Sequence, residues 1–393
     1  MPGSVFVASA RTPIGKLSGS LSPLSATELG GRAIAAALER AGMAGDQVDA
    51  VVLGQVLQAG RGQNPARQAA VAGGIPMDVP AVTVNAVCLS GLHAVAEADR
   101  MIQAGEADVV VAGGMESMTG APHLLPGARA GFRLGDATAV DSLVADGLWC
   151  AFDDVHMGAG TEAYAKAAGI SRQAQDDFAA RSHQRAAAAA KDGRLAAEIV
   201  PVEVPQRGDP LVVDADEGVR PDTTAESLAR LRPAFAAEGS ITAGNASQIS
   251  DGAAAVVVAS RARADELGLA ARAELVGSAM VAGPDPSLLT QPSRAIARAL
   301  ERAGRTLADV DLFEINEAFA AVCLASIDDL GIDPERVNVN GGGIALGHPI
   351  GMSGARLLVT LAEELRRRGG GLGVAALCGG GGQGEAAVLE VAR

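Results

Sequence analysis

The chain has 393 residues, enough for two or three domains and too many for one simple core. A net charge of −14 excludes the basic stripe of a nucleic-acid binder, although a local arginine can still hold a phosphate. No apolar run reaches membrane-span length, so no membrane partner is expected, and four cysteines are too few for a disulfide scaffold in a chain this long, which points to a reducing, cytoplasmic setting.

The N-terminal stretch M-P-G-S-V-F-V-A-S-A-R-T-P has no basic start followed by an apolar core, so no secretory signal is expected. Residues 32–42, R-A-I-A-A-A-L-E-R-A-G, predict an amphipathic helix closed by a glycine cap. Residues 294–304, R-A-I-A-R-A-L-E-R-A-G, repeat it with one change. Each copy leads into V-D and an apolar stretch, at 48–55 and at 310–317. Further on, V-T-V-N at 82–85 matches V-N-V-N at 337–340, and A-G-G at 112–114 matches C-G-G at 378–380. Two copies of one order of helices and strands predict a duplicated α/β core, with parallel sheets covered on both faces. Aromatic residues make up only 2% of the chain, so that core must be packed from Ala, Val, Leu and Ile.

Between the copies, residues 119–249 lose this rhythm and read as an insertion carried on the core, with a helix over 171–190. S-D-G-A-A-A-V-V-V-A-S at 250–260 predicts a strand returning to the first half. The expected division is 1–118 plus 250–269, then 119–249, then 270–393.

Cys88 follows V-T-V-N by three residues and starts a helix-like run, where unpaired N–H groups favour a thiolate. His348 follows V-N-V-N by eight, inside G-G-G-I-A-L-G-H-P-I-G-M-S-G; an imidazole there can take a thiol proton. Cys378 ends an apolar strand and precedes four glycines, whose N–H groups suit an oxyanion. Asn316 and Glu317 sit between apolar neighbours in F-E-I-N-E-A-F-A. Cys150, Cys323, His93, His123 and His183 lack comparable surroundings, and no histidine pair has metal-ligand spacing, so no metal is expected. The set predicts covalent acyl chemistry on sulfur.

Taken together, V-N-A-V-C-L-S-G-L, N-E-A-F-A, G-G-G-I-A-L-G-H-P-I-G-M-S-G and C-G-G-G-G-Q-G resemble the four motifs of the thiolase family, in the family's order and over essentially the whole chain. The run at 121–137, with D-G-L-W at 146–149 and H-M-G at 156–158, looks most like its bacterial biosynthetic members. The resemblance implies a five-layer α-β-α-β-α core and a homotetramer built from dimers. It implies a ping-pong reaction joining two acetyl-CoA into acetoacetyl-CoA and CoA, or the reverse. His348 would activate Cys88 to take the acyl group, and Cys378 would move a proton on the second substrate's methyl carbon. His348 with a water on Asn316 would form one oxyanion hole, and the N–H groups of Cys88 and Gly380 the other. Coenzyme A would be substrate and product, with no tightly bound cofactor. Arg220, Ser227, Ala243 and Ser247 match the family's coenzyme A contacts, with His156, Met157 and Phe319 near the pantetheine tip or acyl group.

Leu89, Gln248 and P-S-L-L-T-Q-P at 286–292 depart from the family pattern, and the last bears on chain length. Three alternatives stay open. A degradative thiolase for longer 3-oxoacyl chains is one. A decarboxylating ketoacyl synthase would carry a histidine where Cys378 lies. A non-catalytic acyl-CoA or lipid binder would tend to lose the nucleophile or its base.

Overall fold

The computed structural model describes residues 4–393. The first three residues of the 1–118 segment, which also open the stretch read for a secretory signal, lie outside the described residues. The first half runs β1 (Ser4–Arg11), α1 (Ala26–Ala41), β2 (Ala50–Gly54), α2 (Pro65–Ala72), β3 (Ala81–Val84), α3 (Ser90–Gln103) and β4 (Val109–Ser117). The intervening region carries α4 (Met157–Ala167) and α5 (Arg172–Lys191). Then come β5 (Ser250–Ser260), β6 (Ala273–Ala282), α6 (Gln291–Ala303), β7 (Leu312–Ile315), α7 (Ala320–Leu330), α8 (Ser353–Arg367), β8 (Gly371–Gly379) and β9 (Gln383–Val391). Among the described residues, no helix is long and apolar enough to cross a membrane.

The repeated stretches adopt the same local structure. Helix α1 ends at Gly42 (φ 66°) and α6 at Gly304 (φ 64°). Both glycines take the left-handed conformation that lets their N–H groups return to the last helical turn. At the start of α1, Ser25 and Glu28 form a reciprocal cap that satisfies two otherwise unpaired N–H groups.

The strands form one ten-stranded sheet in the order β7-β8-β9-β6-β1-β5-β4-β2-β3, with Gly15–Lys16 paired to the start of β5. The expected parallel sheets are corrected by this pairing. Only β3, β2 and β4, and separately β7 and β8, are parallel. The short turn between β8 and β9 forces an antiparallel pair. Strand β5 returns antiparallel to both β4 and β1. The two halves join where Ser4–Phe6 pair with Ala273–Leu275. A second correction concerns V-N-V-N, where only Val337 bridges to a strand. Asn338 turns to φ 49°, and its side chain binds the backbone of Ile315 in place of a ladder.

Period-two alternation divides the sheet's faces. In β4, Val109 and Val111 pack toward α1, whereas Val110 and Ala112 pack toward α3 and α8. In β8, Val374 and Ala376 pack toward α6, whereas Ala375 and Leu377 pack toward the same central helices. Outer helices, one half of the sheet, central helices, the other half of the sheet and outer helices therefore make five layers. The starts of α3 and α8 meet with almost no side chain between them. A Cβ on Gly354 would lie 2.4 Å from the Leu92 nitrogen, and one on Gly91 would lie 2.9 Å from both the Ala355 nitrogen and the Gly351 oxygen. This contact brings the loop before α3 against the loop before α8.

Candidate active site

The loop before α3 carries Cys88 on a strained turn. Val87 has φ 52°, which is unfavourable for a β-branched residue and costs about 1–3 kcal/mol. The Asn85 side chain accepts the Val87 N–H at 2.9 Å. Ser90 Oγ accepts the Ala86 N–H at 2.9 Å and donates to the Val87 oxygen at 2.6 Å. These bonds hold the turn and aim the thiol out of it. The sequence signals the strand-to-helix junction and gives no sign of the strained valine.

The backbone N–H groups of Gly380 and of Cys88 itself favour a charged Cys88 sulfur. Burial nevertheless pushes the thiol up to about 12. The expected thiolate is corrected on this point. Cys88 lies before the first turn of α3, and loss of solvent outweighs the two donors. Leu89, a departure from the family pattern, is fully buried against Gly379, where a Cβ would come within 2.7 Å of it.

His348 is buried, and its imidazole is pushed down to about 3, first by burial and then by the charge of Arg356. Its Nδ1 lies 2.6 Å from Ser353 Oγ, whose own proton goes to the Pro349 oxygen at 2.9 Å. The serine oxygen therefore accepts from Nδ1–H, which leaves Nε2 as a free proton acceptor. The following loop is clamped by Glu116 at the end of β4. One Glu116 oxygen accepts N–H groups from Val56 and Gly351, each at 3.0 Å, and the other accepts from Leu57 at 3.2 Å. A Cβ on Gly351 would meet Glu116 at 2.8 Å, so glycine is required there. Burial pushes the Glu116 carboxyl up to about 7. Ser353 and Glu116 escaped the sequence reading. Their signals were the S-G that closes the histidine motif and the M-E-S after A-G-G.

Asn316 lies behind His348, with its amide nitrogen 3.4 Å from each ring nitrogen and its buried oxygen without a protein partner. Glu317 accepts from Ser182 Oγ at 2.6 Å, Asn338 Nδ2 at 2.9 Å and the Ile344 N–H at 3.1 Å. It ties α5 to the glycine-rich turn before His348.

Cys378 ends β8, is 1% exposed, and has its thiol pushed up by burial and by the neighbouring Cys88. Cys88, His348, Cys378 and Gly380 line one cavity of about 60 Å³, together with Met157 and Leu288. His156, Ser247 and Phe319 also border this cavity and connect it to an outer one of about 470 Å³ lined by Arg220 and Ala243. His156 stacks on Phe235 at 5.0 Å and accepts the Gly158 N–H. Ser227 lies outside both linings, exposed, with its hydroxyl donated to the Thr224 oxygen. The Gln248 side-chain amide, another departure, donates to the Gly218, Ile344 and Ala345 oxygens, and the Gln248 backbone oxygen accepts the His348 backbone N–H.

The remaining candidates are structural. Cys323 is buried in α7, and Cys150 accepts an N–H from Asp153. His93 pairs with Glu385, and His183 accepts the Arg220 N–H. His123 is exposed.

Two thiols and a buried histidine on one cavity, with a larger cavity adjoining it, are the makings of thioester chemistry. Comparison with known proteins agrees. Residues 4–262 match the family model described as thiolase, N-terminal domain, and residues 269–391 that described as thiolase, C-terminal domain. A probable acetyl-CoA acetyltransferase of Mycolicibacterium smegmatis is 59% identical over 387 residues, spanning 98% of this chain and all of that protein. One of Mycobacterium tuberculosis is 58% identical over 391 residues, 99% of this chain and all of its own length. An acetyl-CoA acetyltransferase of Cupriavidus necator is 54% identical over 392 residues, again 99% of this chain and all of that protein. The chain belongs to the thiolase family.

Proposed function

We propose that this chain catalyses the reversible joining of two acetyl-CoA molecules into acetoacetyl-CoA and CoA through an acyl-Cys88 intermediate. The observation that carries this reading is one cavity bordered by two thiols and a histidine whose Nδ1 is engaged by the Ser353 hydroxyl. The names of the full-length relatives support it.

At rest both thiols and the imidazole are neutral, because burial disfavours every charged form. In acylation His348 Nε2 takes the Cys88 proton as sulfur attacks the thioester carbon. Cys378 gives its proton to the departing CoA sulfur. The acyl-enzyme then holds a Cys378 thiolate and a His348 imidazolium. The thiolate removes a proton from the methyl carbon of the second acetyl-CoA. The new Nε2–H and a water on Asn316 stabilise the enolate oxygen. The enolate carbon attacks acyl-Cys88, the N–H groups of Cys88 and Gly380 hold the tetrahedral oxyanion, and each such donor contributes about 3–4 kcal/mol. Cys88 leaves with the proton from His348, which restores the starting state.

Coenzyme A acts as substrate and product, with its arm running through the outer cavity past Ser247, Ala243, His156 and Phe319 toward Arg220. Ser227 borders the nucleotide end from the surface. We keep the division into 1–118 plus 250–269, 119–249 and 270–393, and a cytoplasmic homotetramer. Exposed Phe132 and Leu134 in the intervening region, and exposed Val82 on edge strand β3, support the assembly.

A second reading, thiolysis of longer 3-oxoacyl chains, has one observation in its favour. Met157 and Leu288 border the reaction cavity and also a small void beyond it, beside Tyr164. CoA-dependent cleavage of acetoacetyl-CoA, compared with 3-oxo-hexanoyl- and 3-oxo-octanoyl-CoA, tests both. The main reading expects the four-carbon substrate to have the highest kcat/KM. A preference for eight carbons transfers the assignment to the second reading, and no cleavage of any of them refutes both.

A further inference from the structure

The outer cavity is electrostatically unlike the rest of the molecule. The chain carries −14, yet no carboxylate lines this cavity, and its two charged side chains are Arg220 and Lys16. Its histidines, His156 and His348, both have pKa values lowered by burial and are neutral at pH 7. Lysine is rare here, with three in the chain against an arginine-rich remainder, and Lys16 is the one that borders a cavity at the active site.

The position of Lys16 is built with care. Its residue pairs with Ser250 at the start of β5, three residues beyond Ser247. Its N–H goes to Glu217 at 2.9 Å, and the Glu217 N–H returns to the Ile14 oxygen at 3.0 Å. The adjoining Asp216 is gripped by both Nη atoms of the buried Arg11, at 2.7 and 2.8 Å, and accepts the Ile14 N–H. The segment carrying Lys16 and the segment carrying Arg220 are thus locked together. On the other side, the Arg220 N–H is fixed by His183.

We propose that Lys16 is a second phosphate-binding cation of the coenzyme A site, acting with Arg220 on the phosphates of the nucleotide end. The assignment rests on the coenzyme A reading above and adds a residue to it. A lysine suits this task because a flexible point charge can follow a phosphate at an open cavity mouth. Two cations on a wall without carboxylates also give a strongly acidic protein a local attraction for a polyanion, which depends on salt.

The test is direct binding of CoA to the intact protein by titration calorimetry, for wild type, Lys16→Gln and Lys16→Arg, at low and high salt. Lys16→Gln keeps the backbone bonds and removes the charge. We expect about tenfold weaker CoA binding and a shallower salt dependence, with Lys16→Arg within about threefold of wild type. In thiolysis assays the loss should appear in KM for CoA and vanish when pantetheine, which lacks the nucleotide, replaces CoA as the accepting thiol with acetoacetyl-pantetheine as the donor. Equal CoA affinity in wild type and Lys16→Gln overturns the proposal, as does an equal loss toward the pantetheine thioester. Wild-type protein that binds CoA but cleaves no 3-oxoacyl-CoA refutes the reaction while leaving the Lys16 result intact.

Discussion

Replacing Ser353 with Ala isolates the device that makes His348 a base. The hydroxyl is the acceptor 2.6 Å from Nδ1, and both residues are buried, at 2% and 5% exposure. Its loss leaves a buried N–H without a partner, at a cost of about 1–3 kcal/mol. That energy is also what holds the proton on Nδ1. Without it, the tautomer bearing the proton on Nε2 competes, and that form cannot accept the Cys88 proton. The rate of acyl-enzyme formation should therefore fall by about 5- to 150-fold, taking 1.36 kcal/mol per factor of ten. Rapid-quench measurement of acetyl-Cys88 formed from acetoacetyl-CoA, with no CoA added, reads this step alone. Acylation within twofold of wild type in a folded Ser353→Ala protein would refute the tautomer argument.

Two further outcomes follow from the charge states. With the Cys88 thiol near 12, inactivation by iodoacetamide should be slow at pH 7 and rise about tenfold per pH unit from 7 to 10; a plateau by pH 8 would mean a resting thiolate. The His348 imidazole is near 3 when folded and about 6.5 when unfolded, so below 6.5 the unfolded chain takes a proton that the folded one refuses. This contribution is present above pH 6.5 and is lost progressively toward pH 3. His348→Gln should therefore lose less stability than wild type on acidification over that window, as followed by urea denaturation; parallel curves would contradict the burial.

Much of the catalytic centre was legible because duplication is a sequence-level signal. The 32–42 and 294–304 repeats gave two helices with near-identical glycine caps. Cys88 was marked by a strand-to-helix junction, His348 and Cys378 by glycine-rich surroundings, and all three line a common cavity. What escaped depends on contacts between distant segments. Glu116 joins the two halves through N–H groups of Val56, Leu57 and Gly351, and nothing local to M-E-S announces that. The parallel-sheet expectation failed because alternating helices and strands do not reveal a tight β8–β9 turn or the direction of β5. The expected thiolate failed because a motif shows what precedes a helix and cannot show how much solvent is removed from the sulfur.

Catalysis turns on a division of labour between neighbouring sulfurs, and α-proton exchange into solvent deuterium reads it directly. Cys378→Ala, given acetyl-CoA in D2O, should still form acetyl-Cys88, more slowly for want of the proton Cys378 gives the departing CoA sulfur, while methyl-group deuteration drops to the uncatalysed rate. Acylated Cys378→Ala that deuterates acetyl-CoA as fast as wild type would contradict the assignment, because carbon would then be losing its proton to another group.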